Sequence, residues 1–454
     1  MRVPGEWHLP VDRPRIWQPR RNERSGDGGS KQNGFLQVSS ETGVRGIGRQ
    51  VIRSPVPRIL VTPRNEENPY LPLLRQALRD VGVVSDWLPM DWSPSQTLNV
   101  MFFPVELAFG RLRGFNVIHV HWLYKFSWHW TRHLPFVRRL PRWWFGFTLW
   151  FADAIGFCIV YTSHELLPLA PVFDDDTAGR RSLLHRARAV ITITEDGKRR
   201  LSDTFGVDPR LIRVIPEGAP VFGPAPERQG ARRRLGVPGA MPLIVMFGHL
   251  DPYKGVDLLL EAALELPATT ELSIRLLGSA DDSTYATRLN VLVRHLQQTG
   301  RDVRWDRGTF SDDDLGVLLA AADLVTLPFR WITNSTSLRV AMERRVPVLV
   351  PDLPELADVP ALAVIRYDRT APAGLRDGIV AALHASPDEV AARVAAAYEW
   401  TTAWTWRDVA VATKALYERT LHEPIYAKSY SLDHRASASQ LDDAVHGDGD
   451  QRCQ

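Results

Sequence analysis

Ile244-Val-Met-Phe-Gly248-His-Leu-Asp-Pro-Tyr-Lys254-Gly255 is the stretch on which the fold turns. It opens as a short, unbroken apolar run, the pattern of a strand covered on both faces. The run stops at Gly248, and the Leu-rich residues 256–266 that follow have helical spacing. Toward the C-terminus the pattern repeats. Residues 272–278 read as a second strand, 323–329 as a third ending at Arg330, and 346–352 as a fourth after a helical segment. The third opens into a small polar run, Thr333-Asn-Ser-Thr-Ser337. Strands that end in Gly-rich or hydroxyl-rich turns before helices line up backbone N–H groups and positive helix ends along one edge of a parallel sheet. Phosphates bind at such edges, and Lys254 adds a point charge suited to a diphosphate.

The alternation continues upstream. Residues 57–63, 116–122, 157–164, 189–194 and 212–218 read as strands, and 71–82 as a helix with Leu71, Leu74 and Leu78 on one face. The motifs FGHLDPYKGVDLLLEA (247–262), GTFSDDDLGVLLAAADLVTLPFR (308–330) and AMERRVPVLVPDLPEL (341–356), with the Ser/Thr turn between the last two, resemble the donor-binding half of GT-B glycosyltransferases, above all bacterial polysaccharide and lipid-linked sugar transferases. RILVTPRNEENPY (58–70) is similar to their first strand and turn, and VIHVHW, IVYTSHE and RVIPEG to later strands of the acceptor half. The resemblance runs from Arg58 to Leu421.

The expected fold class is therefore α/β: two doubly wound Rossmann-like domains facing across a cleft, with disordered tails at both ends. The expected divisions are a tail at 1–55, an acceptor-binding domain at 56–222, a nucleotide-sugar donor domain at 223–385, closing helices at 386–421 that the resemblance returns to the first domain, and a tail at 422–454. Gly218 to Gly230, with three prolines, is the linker. A chain of 454 residues suffices for two full cores. A net charge of +3 gives no general case for nucleic acid. Two cysteines, Cys158 in an apolar run and Cys453 near the end, exclude a disulfide framework and suit a reducing compartment. The first residues lack the apolar core of a secretion signal, so the expected location is cytoplasmic, at the inner face of the cell membrane. Residues 111–152 stand apart: seven Lys/Arg, no Asp or Glu, and six of the fifteen tryptophans. That mixture belongs to interfacial helices, and it places a peripheral membrane contact at 124–150. Asp153 breaks the apolar run that would otherwise raise a spanning helix.

Sugar transfer requires that the departing diphosphate be stabilised and, in an inverting reaction, that a base take the acceptor proton. For the first task the resemblance and the turn chemistry name Gly248, His249, Lys254, Arg330, Asn334, Ser335 and Thr336, with Thr309 beside the nucleoside base. The retaining pattern of two glutamates with seven residues between them is missing; Ile332 and Val340 stand there, and Glu343 is the nearest substitute. Retention and inversion both stay open. His164, at a strand end, is the candidate base with Glu165 orienting it, and His121 lines the cleft while His119 belongs to the core. Glu66, Asn68 and Trp122 are candidate acceptor contacts. The acidic runs 174–176 and 312–314 suit helix starts, so no metal is assigned. No cofactor is expected beyond the nucleotide sugar as co-substrate. The partners expected are that donor and a glycan or polyprenyl-linked acceptor, in polysaccharide or glycoconjugate synthesis. The competing readings are a non-catalytic GT-B protein that binds a nucleotide sugar or a partner enzyme, a sugar epimerase of the same fold, and a membrane- or nucleic-acid-binding module using only the Trp/Arg segment.

Overall fold

The computed structural model describes residues 56–422 apart from 67, 89, 129–136, 169, 268 and 333. The tail expected at 1–55, the tail expected at 422–454 apart from His422, and part of the 124–150 segment lie outside the described residues.

Six strands form the first sheet: β1 (Arg58–Thr62), β2 (Val84–Trp87), β3 (Val117–Val120), β4 (Cys158–Ser163), β5 (Ala189–Thr192) and β6 (Ile212–Val214). Every pairing is parallel, in the order β2-β1-β3-β4-β5-β6. The helices between them are α1 (Tyr70–Asp80), α2 (Gln96–Leu112), α3 (Leu140–Ala154), α4 (Asp176–Arg186) and α5 (Glu195–Phe205). The apolar run that reaches into β4 is divided as Asp153 suggested: α3 ends at Ala154 and β4 starts at Cys158.

The second sheet holds β7 (Leu243–Phe247), β8 (Ser273–Leu277), β9 (Asp302–Asp306), β10 (Leu324–Thr326), β11 (Val348–Pro351) and β12 (Ile365–Tyr367), again all parallel, in the order β12-β11-β10-β7-β8-β9. Its helices are α6 (Arg228–Leu235), α7 (Val256–Glu265), α8 (Ser283–Gln298), α9 (Asp312–Ala321), α10 (Thr336–Glu343), α11 (Gly374–Leu383) and α12 (Pro387–Thr402). Strand β10 is shorter than its apolar run because Pro328 has no N–H for a ladder. The α/β class expected from the alternation is the one observed.

Both sheets are covered on both faces, which is why their strands are continuous Val/Ile/Leu runs and not alternating ones. Under the first sheet, one core gathers α2, α3 and α4 (Phe103, Leu107, Phe145, Leu183). The other gathers α1 and a last helix, α13 (Trp406–His422), through Leu71, Leu74, Val409 and Tyr417. The chain thus passes between the sheets twice. The two crossings are bonded to each other: Ala219 N donates to Trp404 O (2.8 Å) and Trp406 Nε1 to Ala219 O (2.9 Å). A second bridge joins the sheets through α5. Its N-terminal Glu195 N donates to Asp358 (2.7 Å), and Arg200 pairs with Glu355 (3.0 Å).

Candidate functional site

In a doubly wound sheet, ligands bind where the strand order reverses, beyond the carboxyl ends of the two strands that diverge. In the second sheet the order reverses between β7 and β10, so the loops from Gly248 and from Pro328 frame the crevice. In the first it reverses between β1 and β3, framed by the loops after Thr62 and Val120. Gly248 and Lys254 of the expected donor set, and Glu66, Asn68, His121 and Trp122 of the expected acceptor and catalytic set, lie on these loops.

Gly248 has φ of +98°, and a Cβ there would stand 2.8 Å from Lys254 Nζ and 3.3 Å from Ser337 Oγ. Only glycine holds this backbone at low cost and leaves room for the ammonium. Gly255, also left-handed at φ +70°, brings the loop so close to β10 that a side chain would overlap the Pro328 carbonyl oxygen. The result is a cradle of Gly248, Lys254 and Ser337 joining the two divergent strands. Lys254 is 7% exposed, and its Nζ lies 3.5 Å from Ser337 Oγ. Burial lowers the ammonium to about 8, against a smaller upward pull from Asp251. A buried cation with one weak neutral partner has its charge stabilised by any anion that enters. Ser335 caps α10, accepting from Leu338 N (3.0 Å), so the free N–H groups of that helix open beside the cradle. Thr336 is exposed there, and Asn334 Nδ2 donates to Glu217 Oε2 (3.2 Å), a carboxylate arriving from the linker.

Other expected donor contacts stand differently. The Arg330 fork is held by Asp257, at 2.9 and 2.7 Å, with Pro252 O as a third acceptor. A guanidinium engaged bidentately with a buried carboxylate is committed to it, and Arg330 acts here as the brace between α7 and the end of β10. Glu343 ends α10 beside Arg344, about 12 Å along the axis from Ser335, so the helix does not bring it to the cradle. Ile332 and Val340 are core residues. His249 is exposed and bonds Asp281 (2.7 Å), and Thr309 is exposed after β9.

At the switch point of the first sheet, His121 Nδ1 and His164 Nε2 are 3.1 Å apart. Trp122 stacks on His164 at 4.4 Å between centroids, and Tyr70 meets the same ring edge-on at 4.7 Å. His119, the core histidine, is bonded on both sides, to Tyr417 OH (2.6 Å) and Thr162 Oγ1 (2.7 Å). Burial pushes His119 and His164 down to about 3 and His121 well below its usual value, so all three rings are neutral at physiological pH. Their stack is a wall of aromatic edges and one imidazole hydrogen bond. The orienting partner of His164 is therefore His121 and not Glu165. Glu165 is itself the group that titrates near neutrality: burial, with a smaller push from Asp176, raises it to about 7. Its charge also reaches Tyr253, in the loop before Lys254.

Glu66 is exposed and paired with Arg64 (3.0 Å), while Asn68 accepts from Tyr70 N (3.0 Å) and starts α1. Both acidic runs serve as helix starts. Asp175 caps α4, and Asp314 completes a capping box with Ser311 on α9. Among the described residues no group of three His, Cys, Asp or Glu is arranged to hold a metal ion. Sequence reasoning missed Ser337, Tyr70 and Arg180. Arg180 is buried over the Tyr161 ring at 5.1 Å, with its guanidinium lowered to about 9 by burial. A hydroxyl at the second position of a helix flags Ser337, and Tyr70 ends the stretch similar to the family's first strand and turn; nothing in the sequence flags Arg180.

Residues 241–399 match the family model described as Glycosyl transferases group 1. The D-inositol 3-phosphate glycosyltransferase of Mycobacterium bovis (strain BCG / Pasteur 1173P2) is 32% identical over 202 residues, 41% of this chain and 40% of that protein. The chain thus spans less than half the length of the curated relatives it matches. Among solved structures, the sucrose-phosphate synthase of Thermosynechococcus elongatus superposes with a TM-score of 0.63 at 18% identity, covering 80% of this chain and 98% of the other. Anabaena Alr3699/HepE, in complex with UDP and glucose, superposes at 0.57 and 15% identity, covering 81% and 99%. The shared architecture is the GT-B fold.

Proposed function

We propose that this chain, a GT-B protein whose residues 241–399 form a group 1 glycosyltransferase domain, transfers a sugar from a nucleotide-sugar donor to a hydroxyl of a glycan or lipid-linked acceptor. The observation that carries the reading is the Gly248–Lys254–Ser337 cradle at the switch point of the second sheet, beside the open N-terminus of α10. Backbone N–H groups, a buried ammonium and a hydroxyl together suit a diphosphate. A solved neighbour with UDP and glucose bound is in keeping with such a donor.

In the inverting form of the reaction, the acceptor O–H gives its proton to Glu165, whose carboxylate is the base available near pH 7. The acceptor oxygen attacks the anomeric carbon as the bond to the diphosphate breaks. Lys254 and the α10 N-terminus take up the charge left on the departing phosphate. The neutral His121–His164 pair, with Trp122 and Tyr70, supplies an apolar wall that a sugar ring can pack against and one imidazole to orient a hydroxyl. No metal or other cofactor enters this scheme. The reading puts the protein in polysaccharide or glycoconjugate synthesis at the cytoplasmic side of a membrane, in keeping with a buried Cys158 thiol that donates to Thr420 O.

A thermal-shift screen against UDP, GDP, dTDP and ADP and their sugars tests it. A ligand that binds only the folded state raises the melting temperature once it exceeds its dissociation constant. The expected result is a selective shift with one nucleotide. No shift with any of them would favour the second reading, a non-catalytic GT-B protein, for which the apolar Ile332 and Val340 at the retaining carboxylate positions speak.

A further inference from the structure

A helix laid on a sheet needs one apolar face; α2 and α3 each have two. Their inward faces, Val100, Phe103 and Leu107 on α2 and Phe145, Leu149 and Ala152 on α3, lie in the core. Yet α2 also presents Leu98, Met101, Phe102, Val105, Phe109 and Leu112 to solvent, at spacings that put them on one stripe. Leu140, Trp143, Phe147 and Trp150 make the same stripe on α3. Phe109, Trp143 and Leu112 are 62, 71 and 86% exposed. The helices touch, Trp144 Nε1 donating to Val100 O at 2.8 Å, so the stripes belong to one face. Large exposed apolar side chains elsewhere among the described residues are scattered singly, whereas these are contiguous, which marks an interaction site.

The face has a direction. The α2 stripe is about 21 Å long, and its N-terminal end meets the switch point of the first sheet. There the Gln96 amide donates to Lys125 O after β3, and Asn65 Nδ2, after β1, donates to Tyr124 OH (3.1 Å). It also has a sign. Arg113 pairs with Asp86, and Arg139 and Arg142 with Asp174, yet between residues 92 and 152 the sequence holds seven Lys/Arg and one acid, Glu106. That carboxyl is largely buried beside Met90 N and is pushed up to about 7 by burial.

We propose that α2 and α3 form a docking face for an anionic lipid bilayer, with the apolar stripes at the acyl boundary and the surrounding arginines on the headgroups. Charge selects this occupant over a second copy of the chain, because face-to-face copies would set two basic surfaces against each other. Among the described residues no helix is long and apolar enough to cross a membrane, so the contact lies in the interfacial plane. A lipid-borne acceptor would then enter at the Tyr124 end. That last step rests on the transferase reading; the docking face does not.

The test is co-sedimentation of the full chain with phosphatidylcholine vesicles, with and without phosphatidylglycerol, for the wild type and for Phe109→Glu/Trp143→Glu. Both positions are exposed, so the variant keeps its fold, and circular dichroism checks this. Binding to the anionic vesicles, weakened at least about tenfold by salt and by the double substitution, is the expected result. No binding by the wild type, or equal binding by the variant, overturns the proposal. So does a dimer in sedimentation velocity that the variant abolishes while vesicle binding is absent. Nucleotide thermal shifts on the same samples keep the two readings apart. Vesicle binding without any nucleotide shift sinks the transferase and leaves the docking face, and the reverse sinks only the docking face.

Discussion

Replacing Lys254 by Met removes a buried cation and keeps the side chain's length. The ammonium sits at about 8 against an ordinary 10.5, so burial opposes its charge. Methionine avoids that desolvation, and the variant should melt no lower than the wild type. Donor binding should change in two ways. At pH 7 the loss of a charge-assisted contact, about 1.5–3 kcal/mol, weakens the nucleotide roughly 10- to 150-fold. The second change follows from proton linkage. A bound diphosphate favours the ammonium, so wild-type affinity is level below about 8 and falls as pH rises above it. If the ligand returns the group to its ordinary value, the fall between pH 7 and 9 is about tenfold. Titration calorimetry with the responsive nucleotide, in two buffers of different ionisation enthalpy at pH 8, should find about half a proton taken up per site in the wild type and none in the variant. A variant that binds within twofold of the wild type, or that keeps the alkaline fall, refutes the cradle.

Three further outcomes follow from the geometry. Glu165→Gln should lower kcat about 10²- to 10⁴-fold with little effect on nucleotide binding; in the wild type kcat/KM should rise with pH through about 7, where the base loses its proton, and an unchanged profile in the variant would exclude Glu165. His119, His121 and His164 are held below 6.5 in the folded chain, so the unfolded chain takes up more protons as pH drops below that value, and stability should decline progressively toward pH 3; melting temperatures from pH 7 to 4.5 should show this, with a shallower decline in His164→Asn. Arg330→Ala should cost roughly 1–3 kcal/mol in a denaturant titration, the cost being moderated because Arg288 remains 3.2 Å from Asp257, and the nucleotide shift per folded molecule should persist; its loss would give Arg330 back a phosphate role.

Much of this was legible along the chain because it is local. Each strand and its following turn is a short run, and the Gly248 to Lys254 loop and the Ser335 cap are read within ten residues. What failed to show is long-range pairing. His121 and His164 are 43 residues apart, and Arg330 and Asp257 are 73 apart. Sequence made Arg330 a phosphate ligand and Glu165 the partner of His164 because neighbours along the chain are the only partners it offers. The outward stripe of α2 was hidden for another reason. A helix apolar on both sides has the composition of a core helix, and exposure alone separates the two.

The last helix closes the first domain, and that sets the order in which the molecule can mature on the ribosome. The face of the first sheet beneath Val409, Leu416 and Tyr417 is complete in sequence long before its cover exists. His119 acquires its Tyr417 hydrogen bond from a residue 298 positions downstream. At elongation rates of about 5–20 residues per second, that is roughly 15–60 s during which an apolar sheet face and a buried histidine have no lid. The second domain, whose strands and helices follow one another without interruption, can fold inside that interval. On this timing the second domain can close before the first does, and a truncation that stops at α12 leaves a complete second sheet attached to a first one without its α13 cover.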